Sequence, residues 1–161
     1  LVNKGDLIDP PRPLKPNTFL SPQDLPIEED VLTGKWTLVY IGNGQCDARC
    51  REALTLMRQT RLALGKDAAR VRGVFFATAD CCDVSYLDEE HAGLIVARAD
   101  EVSDREWLAQ FPQYGDVPVD QAGRIYIVDP LGNLMMSYAP DAPDKALLED
   151  LKKLLKLSHI G

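Results

Sequence analysis

Residues 36–78 constrain the fold more than any other stretch. Trp36–Ile41 (WTLVYI) is a short apolar, β-branched and aromatic run of the kind that fills a buried strand. Gly42-Asn43-Gly44 is turn material that ends it. A helix is predicted next, over about Cys46–Leu64. Its apolar face, Cys50, Ala53, Leu54, Met57 and Leu64, lies near the 3.6-residue period, and Gly65 sits where a C-cap belongs. Val71–Thr78 (VRGVFFAT) reads as a second buried strand. Strand, helix and strand in this order make a right-handed parallel crossover.

Further along the chain, Leu94–Ala97 reads as a short strand. Ser103-Asp104-Arg105-Glu106 has the pattern of a capping box, ahead of a helix that Pro112 stops. Arg124–Val128 and Leu134–Tyr138 flank the turn Asp129–Asn133 and predict a β-hairpin. Leu147, Leu148, Leu151, Leu154 and Leu155 form the stripe of a last helix. Asp144 lies near its start and Lys152, Lys153 and Lys156 near its end, as the helix dipole prefers. This order describes an α/β chain with a mixed central sheet flanked by helices. With cysteines at the head of the first helix, it resembles a thioredoxin-like domain. Six of the 11 prolines fall within the first 26 residues, which excludes regular helix or central strand there. Residues 1–33 are therefore expected to be an extended arm, and 34–161 the domain. That arm either spaces the domain from an anchor or wraps its surface.

The chemistry-bearing residues are cysteines: Cys46, Cys50, Cys81 and Cys82. Two close pairs in a chain of this length point to redox or metal chemistry rather than to a stapled scaffold. Cys46 and Cys50 are four apart. On one helix face their Cα atoms would lie about 6 Å apart, near the upper limit for a disulfide and suited to two thiolates on one soft metal ion. At a helix N-terminus the dipole favours the thiolate of Cys46, with Arg49 and Arg51 assisting and Asp47 opposing. Two unrelated core cysteines are the plain alternative.

The CxxxC after Leu38–Ile41, with Val119-Asp120-Gln121 and Ile125–Gly132 (IYIVDPLG), resembles the Sco/SenC family. Residues 3–13 also look like the arm of Sco-related proteins. The resemblance implies a thioredoxin-fold, membrane-anchored factor of cytochrome c oxidase assembly, acting in copper delivery or in reduction of the oxidase's cysteines. It implies Cys46 and Cys50 as copper ligands or redox pair, and a cytochrome c oxidase subunit or another assembly factor as partner. It places the domain in the bacterial periplasm. Since the chain starts at Leu1, membrane attachment is expected only through a removed N-terminal anchor. The family's third copper ligand is a histidine, and Gln121 occupies its position. Arg51 replaces the proline that usually follows the second cysteine. A carboxamide is a poor ligand for Cu(I), and without imidazole Cu(II) loses a preferred donor, so Cu(I) is favoured over Cu(II).

Cys81 and Cys82 follow the second strand and should emerge at the sheet edge that carries Cys46. One of them is then a candidate third soft ligand, or a thiol that resolves a Cys46 or Cys50 disulfide. Two unrelated loop cysteines, or a strained ring between adjacent residues, are the other readings. His91 is expected on an exposed polar turn and His159 in solvent near the C-terminus, neither of them a ligand. Pro118 stands in about the region of the thioredoxin cis-proline, and the sequence leaves its isomer open.

Composition removes other classes. The formal net charge of −7 argues against a nucleic-acid partner. No apolar run is long enough to span a membrane. No Ser-His-Asp set, HExxH or phosphate loop is present, and Cys46 lacks the T-x-x-C context of a peroxidase. A metal-independent thiol–disulfide oxidoreductase and a non-catalytic interaction domain remain as alternatives.

Overall fold

The computed structural model describes residues 4–158 and 161. Its six strands form one sheet in the order β1-β6-β5-β2-β3-β4. Strands β2 (Trp36–Gly42), β3 (Val71–Ala77) and β4 (Ile95–Arg98) are parallel, while β5 (Ile125–Val128) runs antiparallel to β2. The hairpin partner β6 (Asn133–Tyr138) and then β1 (Asp6–Pro13) continue the sheet antiparallel. This is the mixed, helix-flanked sheet of a thioredoxin-like fold.

Period-two alternation sorts the strand residues onto two cores. Leu38, Tyr40, Phe75, Ala77, Ile127 and Met136 face α1 (Ala48–Ala63) and α4 (Asp144–Leu157), through Leu54, Met57, Leu147 and Leu151. Val39, Ile41, Val74, Phe76, Tyr126 and Val128 face the opposite cluster, which holds Trp107 and Leu108 of α3 (Val102–Leu108) and then Phe111. Helix α2 (Val84–Glu90) contributes Leu87 to the first cluster.

The proline-rich stretch enters the sheet at its edge. Residues 6–13 pair with β6, with the register shifting between Leu7 and Arg12 where Pro10 and Pro11 stand. Proline lacks the ladder donor, so an edge with a bulge is where it fits. Farther on, Phe19 lies edge-on to Trp107 and tilted against Phe76, with ring centroids 5.0 and 4.8 Å away. Asp150, only 1% exposed, accepts from the Tyr138 hydroxyl at 2.8 Å and from the backbone amides of Lys4 and Gly5. Burial, with the Asp150 carboxylate second, pushes the Tyr138 phenol up, so it stays a donor.

Three local expectations shift. Helix α1 begins at Ala48 rather than Cys46, because Asp47 is its N-cap and accepts from the Cys50 amide at 3.0 Å. The cap of α3 is not Ser103 but Glu101, whose amide donates to Asp104 at 3.1 Å; the buried aspartate outcompetes the serine. His91 is not an exposed turn residue: it is 5% exposed and lies 2.9 Å from the Tyr86 hydroxyl. His159 lies outside the described residues.

Asp150→Ala would leave a buried phenol and two amides without their acceptor. We expect it to lower unfolding free energy by about 3 kcal/mol in urea titrations, against about 1 kcal/mol for Tyr138→Phe. Equal losses would show that Asp150 does not hold the N-terminal segment.

Candidate functional site

Parallel pairing of β2 and β3 runs in register from Trp36↔Val71 to Gly42↔Ala77, so both strands end at one edge. The loops that follow, 43–46 and 79–83, are joined there. Gly44 N–H donates to the Ala79 carbonyl at 2.7 Å, and Asp83 N–H donates to the Gly44 carbonyl at 3.0 Å. The Asn43 amide donates to Asp80 Oδ2 and the Gln45 amide to the Asp80 carbonyl, each at 2.8 Å. A Cβ on Gly44 would lie 2.6 Å from the Cys81 Cα, so only glycine allows this approach.

Cys46 and Cys50 form a disulfide with their Cα atoms 5.0 Å apart. They do not share a helix face: Cys46 precedes the N-cap, with φ +52°, and only Cys50 is within α1. Both are 2% exposed. Cys50 lines a cleft of about 450 Å³ together with Tyr40, Thr78, Asp120 and Gln121. Gln121, expected from the Sco/SenC resemblance to stand where that family has a histidine, lines the same cleft as Cys50. Its backbone is held in a turn, N–H to the Pro118 carbonyl at 2.9 Å. Pro118 is trans, since the cis peptide bonds among the described residues are Asp9–Pro10 and Cys81–Cys82.

Cys81 and Cys82 are bonded to each other in the adjacent-residue ring. Both are half-buried and pack against the core cluster that contains Cys46 and Cys50. With all four in disulfides, no described cysteine is free. Among the described residues, no group of three His, Cys, Asp or Glu is placed to hold a metal ion. A soft-metal site therefore requires reduction first, and the donors then offered are thiolates, with the Gln121 carboxamide in the same cleft as Cys50.

Two residues around the site, Thr78 and Tyr40, carried little sequence signal, and the partners of Arg51 carried none. Thr78, 6% exposed, has its hydroxyl 3.2 Å from Asp120 Oδ2, tying the end of β3 to the Gln121 turn. Tyr40 on the cleft wall is pushed up to about 12 by burial, with Asp47 adding and Arg49 opposing, so it remains a phenol. Arg51 donates to the Cys46 carbonyl at 3.2 Å and pairs with Asp83 at 3.1 Å, with its guanidinium 4.0 Å above the Tyr86 ring. No helix among the described residues is long and apolar enough to cross a membrane.

Over residues 36–158 the sequence matches the family described as transmembrane-like, thioredoxin-like, C-terminal domain. The chain belongs to that family. No curated protein matches it in sequence. Among solved structures, apo Sco1 of Thermus thermophilus superposes with a TM-score of 0.73 at 21% identity, covering 95% of this chain and 97% of that one. Copper-bound yeast Sco1 gives 0.74 at 17%, covering 92% and 91%. BsSco, described as a Sco-family cytochrome c oxidase assembly protein with a disulfide switch, gives 0.69 at 15%, covering 95% and 99%. The domain thus has the thioredoxin-like fold of Sco proteins.

Two outcomes follow from this geometry. Gly44→Ala drives a methyl into backbone atoms and should cost about 1–3 kcal/mol by denaturant unfolding; a neutral result would mean that the two loops are not in contact. Burial and the Arg58 charge lower the His91 pKa from its ordinary 6.5, with Glu90 opposing. The unfolded chain then binds the proton more readily, so this contribution is fully present above pH 6.5 and declines as pH falls through the window below it. Urea unfolding at pH 7.5 and about 5.5 should show a smaller loss of stability for His91→Gln than for wild type. An equal loss would remove His91 from the pH response.

Proposed function

We propose that this chain is a Sco-like assembly factor that sets the redox state of a partner's cysteine pair through Cys46 and Cys50, with Cu(I) as cargo of the reduced pair. The observation that carries this reading is the Cys46–Cys50 disulfide at the head of α1, with Cys50 and Gln121 lining one cleft. Cytochrome c oxidase assembly, stated of the structurally similar BsSco, supports an oxidase subunit or another assembly factor as partner. We place the domain on the periplasmic face of a bacterial inner membrane, held there by an N-terminal anchor.

In the reducing direction, the Cys50 thiolate attacks one sulfur of a partner disulfide. That bond breaks, and the departing partner sulfur takes a proton. Cys46 then loses its proton and attacks the Cys50 sulfur, releasing the second partner thiolate. Two electrons pass to the partner, and Cys46–Cys50 becomes the disulfide. Cys50 lines the cleft, which makes it the sulfur that meets a partner. Cys46 stands just before the N-cap of α1, where the positive end of the helix dipole favours its thiolate for the resolving step.

Reduced protein should convert a disulfide-bonded two-cysteine peptide to its dithiol, monitored by mass spectrometry. Cys46→Ser should accumulate the mixed disulfide on Cys50, and Cys50→Ser should neither reduce the peptide nor accumulate that mixed disulfide. An inert wild type, or two variants as active as wild type, contradicts the reading.

Gln121 favours a second reading, exchange without copper. An anaerobic Cu(I) titration against a chromophoric competitor separates the two. Copper handling predicts one Cu(I) per reduced chain, lost in Cys46→Ser/Cys50→Ser and tightened at least about tenfold by Gln121→His, which adds the missing nitrogen donor. A wild type that fails to compete leaves thiol exchange alone.

A further inference from the structure

Cys81 and Cys82 have no place in the chemistry above, yet their loop is hydrogen-bonded along its length to the Cys46 loop. Gly44, two residues before Cys46, meets the Cys81 backbone so closely that no side chain fits between them. Hydrogen bonds from Asn43, Gly44 and Gln45 reach Ala79 and Asp80, and the Asp83 amide returns one to Gly44. Arg51 closes the circuit by binding the Cys46 carbonyl and Asp83 with one guanidinium. Both disulfides rest on one core cluster.

The pairs differ in access. Cys46 and Cys50 are each 2% exposed, whereas Cys81 and Cys82 are half-buried and so the more exposed pair. A bond between adjacent residues, at a sequence separation of 1, closes no loop of chain. It therefore removes almost no unfolded-state entropy, and stapling does not account for it. Placement and exposure suit an exchanging pair instead.

We propose that Cys81 and Cys82 are a second dithiol–disulfide couple that carries two electrons from an external protein dithiol to Cys46–Cys50. This relay rests on the reading of Cys46–Cys50 as the exchanging pair. The external dithiol reduces Cys81–Cys82 and leaves as its own disulfide. A thiolate of the reduced couple attacks one sulfur of Cys46–Cys50. That bond breaks, and the departing sulfur takes a proton. The other cysteine of the couple loses its proton and attacks its neighbour's sulfur, which breaks the mixed disulfide and releases the second sulfur of the Cys46–Cys50 pair to take a proton. Cys81–Cys82 is again a disulfide, and Cys46 and Cys50 are both thiols, ready for the partner.

The test has two arms. Oxidised protein is reduced by reduced thioredoxin, an external protein dithiol, and differential alkylation with peptide mass spectrometry follows each pair in time. Wild type should reduce Cys81–Cys82 before Cys46–Cys50, and Cys81→Ser/Cys82→Ser should reduce Cys46–Cys50 at least about tenfold more slowly. Equal rates in the two proteins overturn the relay. The second arm needs no substitution: partly reduced wild type is acid-quenched and searched for a disulfide joining residue 46 or 50 to residue 81 or 82. Its presence supports the relay, and its absence at every extent of reduction overturns it. If the relay fails while reduced wild type still reduces the two-cysteine peptide, the proposed function stands without it. If exchange between the pairs is seen and the peptide is untouched, the proposed function fails instead.

Discussion

The in-register parallel pairing of β2 with β3 is the constraint on which the rest of the site depends. Seven consecutive residue pairs, Trp36↔Val71 through Gly42↔Ala77, leave no freedom in where the two chains exit the sheet. A slip of one residue would turn Phe75 and Phe76 to the wrong cores. With the register set, the turn at Gly44 must meet the turn at Cys81, and the head of α1 must lie at that edge. The antiparallel β5 then returns the chain beside β2, and the turn just before it carries Asp120 and Gln121 to the same edge. Four cysteines and the Gln121 turn, spread over 76 positions of sequence, converge because three strand ends do.

Periodicity made much of this legible. The strands at 36–42, 71–77, 125–128 and 133–138 and the helix stripe at Leu147–Leu155 show the spacings that burial imposes, and the structure has each element within a few residues of its expected bounds. The less legible parts turned on competition between side chains. Asp47 and Glu101 began helices two residues away from the expected starts, because which nearby polar side chain caps depends on the tertiary position of each. His91 stands in an acidic, polar stretch that reads as surface. Its burial comes from Tyr86, five residues away, which no periodic pattern reports. Residues 79–100 hold a loop, a seven-residue helix and a four-residue strand, all too short for a periodic signal.

The site divides the same way. The CxxxC spacing and the Gln121 position were visible in the sequence, and the fold brings Cys50 and Gln121 to one cleft. The ring between Cys81 and Cys82 was among the sequence's open readings, and the structure has that one. Thr78 and Tyr40 emerge only from geometry, because a hydroxyl and a phenol carry no motif by themselves, while Arg51 was named in the sequence but its bridge from the Cys46 carbonyl to Asp83 was not. Gly44 is the residue whose importance could least be guessed: in sequence it is turn material, and in space it sets the distance between two disulfide loops.

The account holds that the Cys46–Cys50 bond is there to be made and broken rather than to hold the fold. The two residues are only four apart, so the bond closes a short loop and restrains the unfolded chain weakly. The most direct measurement is a redox titration of wild type in dithiothreitol buffers, with Cys46–Cys50 followed by alkylation and the fold by circular dichroism. A reversible two-electron transition with the native spectrum kept throughout is the result the account predicts. Reduction that occurs only together with unfolding would make the disulfide a structural clasp and contradict the account.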